Sequence, residues 1–190
     1  MGDTPGQYAD QGHPSAKAAR KFDEWLQKAG LTKPLLYLTT ILKCQGPEYF
    51  PEVLPGGPVD RCRPFLQRQL ALLNPVAILI LGKRPMEHWV LPGTGEQANP
   101  FDKWAGKVCR RRDLFGETRL AVAWPPAHIV RNKNPREEEQ SLQAIRALST
   151  YVTARLLGEP APTGEVIDLY SAPPLSFQQR LPLFGPQSSA

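Results

Sequence analysis

The stretch Cys62–Gly82, CRPFLQRQLALLNPVAILILG, decides the fold. Arg61 to Leu73 has the apolar spacing of a helix, with Asp60 placed to cap its start and Pro64 tolerated in the first turn. Pro75 ends it. Val76 to Leu81 (VAILIL) then reads as a strand buried on both faces, because it offers no polar residue to a solvent side. Gly82 closes the run, and a short helix is expected around Met86 to Val90. A helix feeding a wholly apolar strand is the grammar of a parallel sheet covered by helices.

Working outward, the same alternation recurs. Ser15 to Ala29 places Phe22, Trp25, Leu26 and Ala29 on one helical face, with Gly30 as a stop. Leu35 to Leu42 (LLYLTTIL) reads as another buried strand. Cys44 to Asp60 is a loop holding four prolines. Lys107 to Arg112 reads as a β-ribbon and Arg119 to Trp124 as a further strand. Pro135 to Leu157 is a long helix with Asn134 as N-cap, Pro135 in its first turn and acidic residues near its positive end. The fold class is therefore α/β, three layers (α/β/α) around a mainly parallel central sheet. Residues 1–157 form the domain, and residues 158–190 are expected to be a disordered Pro/Ser-rich tail. Ligand sites in such sheets lie at the carboxyl ends of the strands. Gly2 to Gly12, Thr40 to Cys44 and Trp124 to Arg131 fall there.

Composition narrows the function classes. The chain has 190 residues and a net charge of +5, which suits a polyanionic partner. No apolar run reaches the roughly 20 residues that span a bilayer, and the N-terminus lacks the pattern of an export signal. Three cysteines, Cys44, Cys62 and Cys109, are too few and too scattered for a disulfide framework, so a reducing cytoplasm is expected.

Three blocks carry a resemblance. GDTPGQYADQGHP (Gly2–Pro14) is similar to a Gly/Pro-rich turn followed by an acidic stretch. YLTTILKC (Tyr37–Cys44), then a Pro-rich loop, then Cys62–Gly82, is similar to a strand ending in Asn-x-x-Lys-Cys, a loop, Cys-x-Pro-Phe-Leu and a second strand ending in Leu-Gly. WPPAHIVR (Trp124–Arg131) is similar to a His-Pro-Ser-x-Leu-Leu-Arg block. Together, over Gly2 to Leu148, they resemble the uracil-DNA glycosylase superfamily, most nearly its family-four, iron–sulfur branch.

The resemblance implies a protein of DNA base-excision repair, a hydrolase of N-glycosidic bonds that flips a base into a pocket. The substrate pocket would comprise Gly2, Thr4, Pro5, Gly6, Ser15, Thr40 and Pro125. Every chemically decisive position is altered. Ser15 stands at the stacking Phe, Thr40 at the base-reading Asn, Pro125 at the His, and Thr4 where other branches carry a water-activating Asp. Substitutes are Asp3 and Asp10 as general bases, His128 brought in by a loop shift, and Tyr8 for stacking. Arg131 would contact the DNA backbone, and Lys107, Arg110, Arg111 and Arg112 form a basic cluster suited to phosphates.

In the family, four cysteines hold a [4Fe–4S] cluster. Cys44 and Cys62 match two of the metal positions, and the other two lie on a segment upstream of the first block. No cofactor is expected from these residues alone. A cluster requires an upstream segment that supplies two more cysteines and also the first strand, which is missing before Gly2. The function expected is DNA binding, with excision of a modified or damaged base by a rebuilt pocket; the alternative is a non-catalytic DNA-binding or clamp-associated adaptor. In the tail, Gln179, Leu181, Leu183 and Phe184 resemble the short peptides that bind sliding clamps. The remaining expectations are a monomer, no membrane partner, and a cytoplasmic, nucleoid-associated location.

Overall fold

The computed structural model describes residues 14–43, 58–89, 101–111, 118–162, 164 and 166–169. The helices are α1 (Pro14–Lys28), α2 (Pro58–Leu73), α3 (Lys83–Trp89), α4 (Pro126–Asn132) and α5 (Pro135–Leu157). The strands are β1 (Ala77–Leu81), β2 (Val108–Arg111), β3 (Thr118–Ala123) and β4 (Ile167–Asp168), in the sheet order β1-β3-β2-β4. β1 pairs with β3 in parallel, β2 with β3 antiparallel, and β2 with β4 in parallel.

β3 is the axis of the sheet, buried along its whole length. Its alternation sorts the two faces. Leu120 and Val122 point into a cluster with Ile80, Met86, Phe101, Trp104, Ala105, Cys109 and Leu169. Ala121 points the other way, against Ala144 and Leu148 of α5, with Leu79 and Ala77 beside it. The small side chains of Ala121 and Ala144 let α5 approach the strand closely. Next to them, Trp25 and Leu26 of α1 pack with Ile129, Leu142 and Ile145. Helices thus cover both faces, the three-layer arrangement that the sequence implies.

The long helix is capped as the sequence indicates. The Asn134 side chain accepts from the Arg136 N–H, and Gly158 at φ 71° ends the helix in the left-handed region that favours glycine. α1 is held to α5 by Lys21, which bonds Glu138 at 3.1 Å, while the Trp25 indole N–H donates to the same carboxylate at 3.3 Å.

Three expectations need correction. Leu35–Leu42 is not a strand: Lys33–Leu35 is a 3-10 turn, and Leu35, Tyr37 and Leu38 stand 60%, 56% and 58% exposed. An apolar extended run is buried only when a strand lies beside it, and among the described residues β1 pairs with β3 alone. The chain beyond Gly158 is not wholly outside the domain. Ile167 and Asp168 pair with Cys109 and Arg110, the Arg110 guanidinium grips the Asp168 carboxylate through two bonds, one of them 2.6 Å, and Leu169 is buried. Finally, residues 126–132, expected to continue a loop, form a helix with Pro126 in its first turn.

Leu120 is fully buried at the centre of the larger cluster. Leu120→Ala is expected to cost about 2–5 kcal/mol of stability, read as a lowered midpoint in urea unfolding. A loss below about 1 kcal/mol would mean that β3 is not the packing axis.

Candidate functional site at the strand ends

Because β1 and β3 run in parallel, both finish at one rim, and the Gly82 N–H donates to the Ala123 carbonyl there at 3.0 Å. Gly82 has φ 99°, and a Cβ built on it would stand 2.9 Å from Cγ of Pro125. The proline ring is therefore seated directly on the glycine. This is the position where the resemblance leads one to expect a histidine, and here it carries no side-chain donor or acceptor.

Trp124 fixes the next part of the rim. Its backbone N–H donates to Ser141 Oγ at 3.1 Å and its indole N–H to Gln140 Oε1 at 3.3 Å. Phe101 meets its ring edge-on at 4.6 Å. His128, one turn into α4, stacks on its other side with ring centroids 4.5 Å apart.

His128 Nε2 lies 2.9 Å from Glu137 Oε2 in the first turn of α5. A carboxylate only accepts, so the proton of this bond sits on Nε2. The Asn132 amide reaches the same ring edge, 3.0 Å from Nε2 and 3.3 Å from Nδ1. His128 is thus a helix residue anchored to α5, not a loop residue free to swing inward.

The basic residues are distributed differently from the expectation. Arg110 lies on β2 opposite Arg119, and Arg111 opposite Thr118, at the amino end of β3 and hence the far end of the sheet from Trp124. Arg110 is also committed to Asp168. The cluster expected at Lys107–Arg112 is therefore split. Lys107 remains near the rim, its backbone carbonyl accepting from Val122, while Arg110 and the backbone of Arg111 belong to the opposite pole. Arg131, expected from the sequence, is exposed after Pro125, and residues that sequence reasoning missed join it: Lys83 and Arg84 follow Gly82, and Lys133 and Arg136 follow Arg131, all exposed.

On the remaining side, Thr40 is exposed and its hydroxyl donates to the Leu42 carbonyl. Lys43 donates its backbone N–H to Cys62 Sγ at 3.3 Å. Burial holds the Lys43 ammonium below the ordinary lysine range, with Cys62 pulling the other way. Cys62 is buried. Cys109 lies in the core on β2, where burial pushes its thiol up to about 12 against an opposing pull from Lys107. A thiol so placed is not a cluster ligand. With Cys109 removed, the three cysteines of this sequence do not fit a four-thiolate set.

Gly2, Asp3, Thr4, Pro5, Gly6, Tyr8, Asp10, Cys44 and Arg112 lie outside the described residues, as do the tail positions Gln179, Leu181, Leu183 and Phe184 and the side chains of Ser15 and Arg111. The glycine seat supplies a direct check. Gly82→Ala combines a strained φ with a clash against Pro125, so a loss of about 1–3 kcal/mol is expected on thermal or urea unfolding. A neutral substitution would show that Pro125 does not rest there.

Comparison with known proteins adds lineage to this geometry. The chain is 27% identical over 154 residues to a Type-4 uracil-DNA glycosylase of Sulfurisphaera tokodaii, covering 78% of this chain and 68% of that protein. It is 27% identical over 146 residues to a Type-4 uracil-DNA glycosylase of Archaeoglobus fulgidus, covering 74% and 70%. A third relative with the same description, from Pyrobaculum aerophilum, is 26% identical over 142 residues, covering 74% and 71%. Residues 1–149 match the family model of the uracil DNA glycosylase superfamily, and the chain belongs to that superfamily.

Proposed function

We propose that this protein is a DNA-repair-related member of the superfamily that binds DNA at the rim formed by the ends of β1 and β3 and does not excise uracil efficiently. The observation that carries this is Pro125 seated on Gly82. Excision needs a group that stabilises charge on the departing base or activates water, and a proline side chain does neither. Thr40 in place of an amide removes the edge-reading contact as well. Each such loss costs about 1–3 kcal/mol, so together they remove most of the rate.

Binding draws on Lys83, Arg84, Lys107, Arg131, Lys133 and Arg136, whose exposed cations suit phosphates. A cytoplasmic, nucleoid-associated location accords with that role. A second reading, excision of a modified or damaged base, is favoured by one observation: the His128–Glu137 pair is an acid–base couple one turn from Pro125. In that reading Asp3 or Asp10 would activate water.

The test pairs two measurements on one preparation. Fluorescence anisotropy is expected to show salt-sensitive binding to duplex and single-stranded DNA, weakened by Arg131→Ala. Uracil release under single-turnover conditions is expected to be negligible. Rapid uracil release would refute the first reading, and absence of DNA binding would refute both. Release of another modified base, lost in His128→Ala, would select the second.

We also propose that the tail recruits a sliding clamp through Gln179, Leu181, Leu183 and Phe184. The motif's polar anchor followed by apolar side chains suits an extended peptide in a preformed groove. Nine residues lie between Leu169, the last described residue, and Gln179, a reach of at most about 35 Å. A peptide spanning residues 177–185 is expected to bind the host clamp, and Leu183→Ala with Phe184→Ala to abolish binding. No binding by the parent peptide would remove this proposal.

A further inference from the structure

One surface outside the rim joins positive charge to exposed rings. Of the 23 basic and 18 acidic residues in the chain, residues 31–43 and 61–73 hold Lys33, Lys43, Arg61, Arg63 and Arg68 and no acid, with Asp60 just before the second run. Elsewhere the two signs balance, so the net charge of +5 resides on these two segments. The structure lays the segments side by side. The Gln69 amide of α2 is held at both ends, its Nε2 donating to the Tyr37 hydroxyl at 3.1 Å and its Oε1 accepting from the Thr39 hydroxyl at 3.1 Å. The Lys43 N–H on Cys62 Sγ fixes the far end of the same strap. Along α2, Cys62, Leu66 and Leu70 are buried, while Arg61, Phe65, Arg68 and Leu72 recur at helical spacing on an exposed stripe. Tyr37 and Phe65, on either side of Gln69, are each 56% exposed, so both rings offer a face to solvent.

We propose that this face, α2 with residues 35–43, binds single-stranded DNA, and that it does so apart from the rim. Scattered apolar side chains are normal on a surface, but rings and aliphatic side chains gathered with cations mark an interaction site. Every base has a π-face, so Tyr37 and Phe65 accept unpaired bases without reading their sequence. Arg61 and Arg68 are seven residues apart, about 10 Å along the helix, and Phe65 lies between them. A base stacked on Phe65 therefore has a guanidinium toward the phosphate on each side. Duplex DNA keeps its bases stacked on one another and offers these rings no free face, so the surface separates single strands from duplex. Charge decides against a second copy as the occupant, because that would set the same cations against each other. The choice of DNA over RNA rests on the DNA-binding reading above. No residue of this face belongs to the rim, so the two surfaces are separable by substitution.

The test compares a short labelled single strand of mixed sequence with its own duplex, by anisotropy on the full chain. Tyr37→Ala with Phe65→Ala is expected to weaken single-strand binding about tenfold or more and leave duplex binding within about twofold. Tyr37→Phe, which keeps the ring and loses the bond to Gln69, should retain single-strand affinity. Arg61→Gln and Arg68→Gln should each lower the slope of log affinity against log salt by about 0.7 for the single strand. A second measurement needs no variant: a single strand carrying 4-thiothymine is photo-crosslinked to the unsubstituted protein and mapped by peptide mass spectrometry. Crosslinks at Tyr37 or Phe65 are expected, and crosslinks confined to Trp124–Arg136 overturn the proposal. Single-strand binding that is absent, or untouched by the double substitution, while duplex binding is normal overturns this proposal alone. Tighter binding of RNA of the same sequence overturns the choice of DNA. A dimer that the double substitution dissociates, with single-strand affinity unchanged, assigns the face to a second copy instead. Absence of binding to either form of DNA overturns the proposal together with the reading on which it rests.

Discussion

The structure depends on one constraint, the complete burial of β3 between two layers of helices. A strand buried on both faces must satisfy its backbone within the sheet and its side chains within the core. Leu120 and Val122 meet one layer, Ala121 the other, and the buried guanidinium of Arg119 lies over the Tyr151 ring with its centroid 4.9 Å away. Once β3 is fixed, the parallel register of β1 brings Gly82 beside Ala123, and Pro125 has one place to go. The features of the rim follow from that register.

Much of this was legible in the sequence. The unbroken apolar run at Ala77–Leu81, the Asn134–Pro135 start and Gly158 stop of the long helix, and the amphipathic Pro14–Lys28 helix all announce themselves through local chemistry. The departures have a shared cause. Leu35–Leu42 has strand composition, but composition does not supply a neighbouring strand. Residues 167–168 are two residues in a polar, Pro-rich context, and only the grip of Arg110 on Asp168 and the burial of Leu169 make them a strand.

The site was legible in part. The sequence pointed to Trp124–Arg131 at a strand end, and the structure puts it there. It could not give the partner of His128, because Glu137 is nine residues away and reaches it only through the turn between two helices. Nor could spacing reveal that Lys107 and Arg110, three residues apart, serve opposite ends of the sheet. That follows from the antiparallel direction of β2 against β3, which no charge pattern encodes. Two surfaces of the molecule therefore differ in kind. The pole at Arg110–Asp168 holds residues 167–168 to the sheet, and the rim at Gly82–Arg131 carries exposed cations on the segments that follow Gly82 and Pro125.

The central claim is that DNA meets the rim and not the opposite pole. The most direct measurement is a nuclear magnetic resonance titration with a short duplex, following backbone amides and the Trp124 indole proton. The account predicts saturable shifts clustered at Gly82, Trp124, Arg131 and Lys133, with Arg110, Asp168 and Leu169 unmoved. Shifts concentrated on β2 and β4, with a silent Trp124, would contradict it.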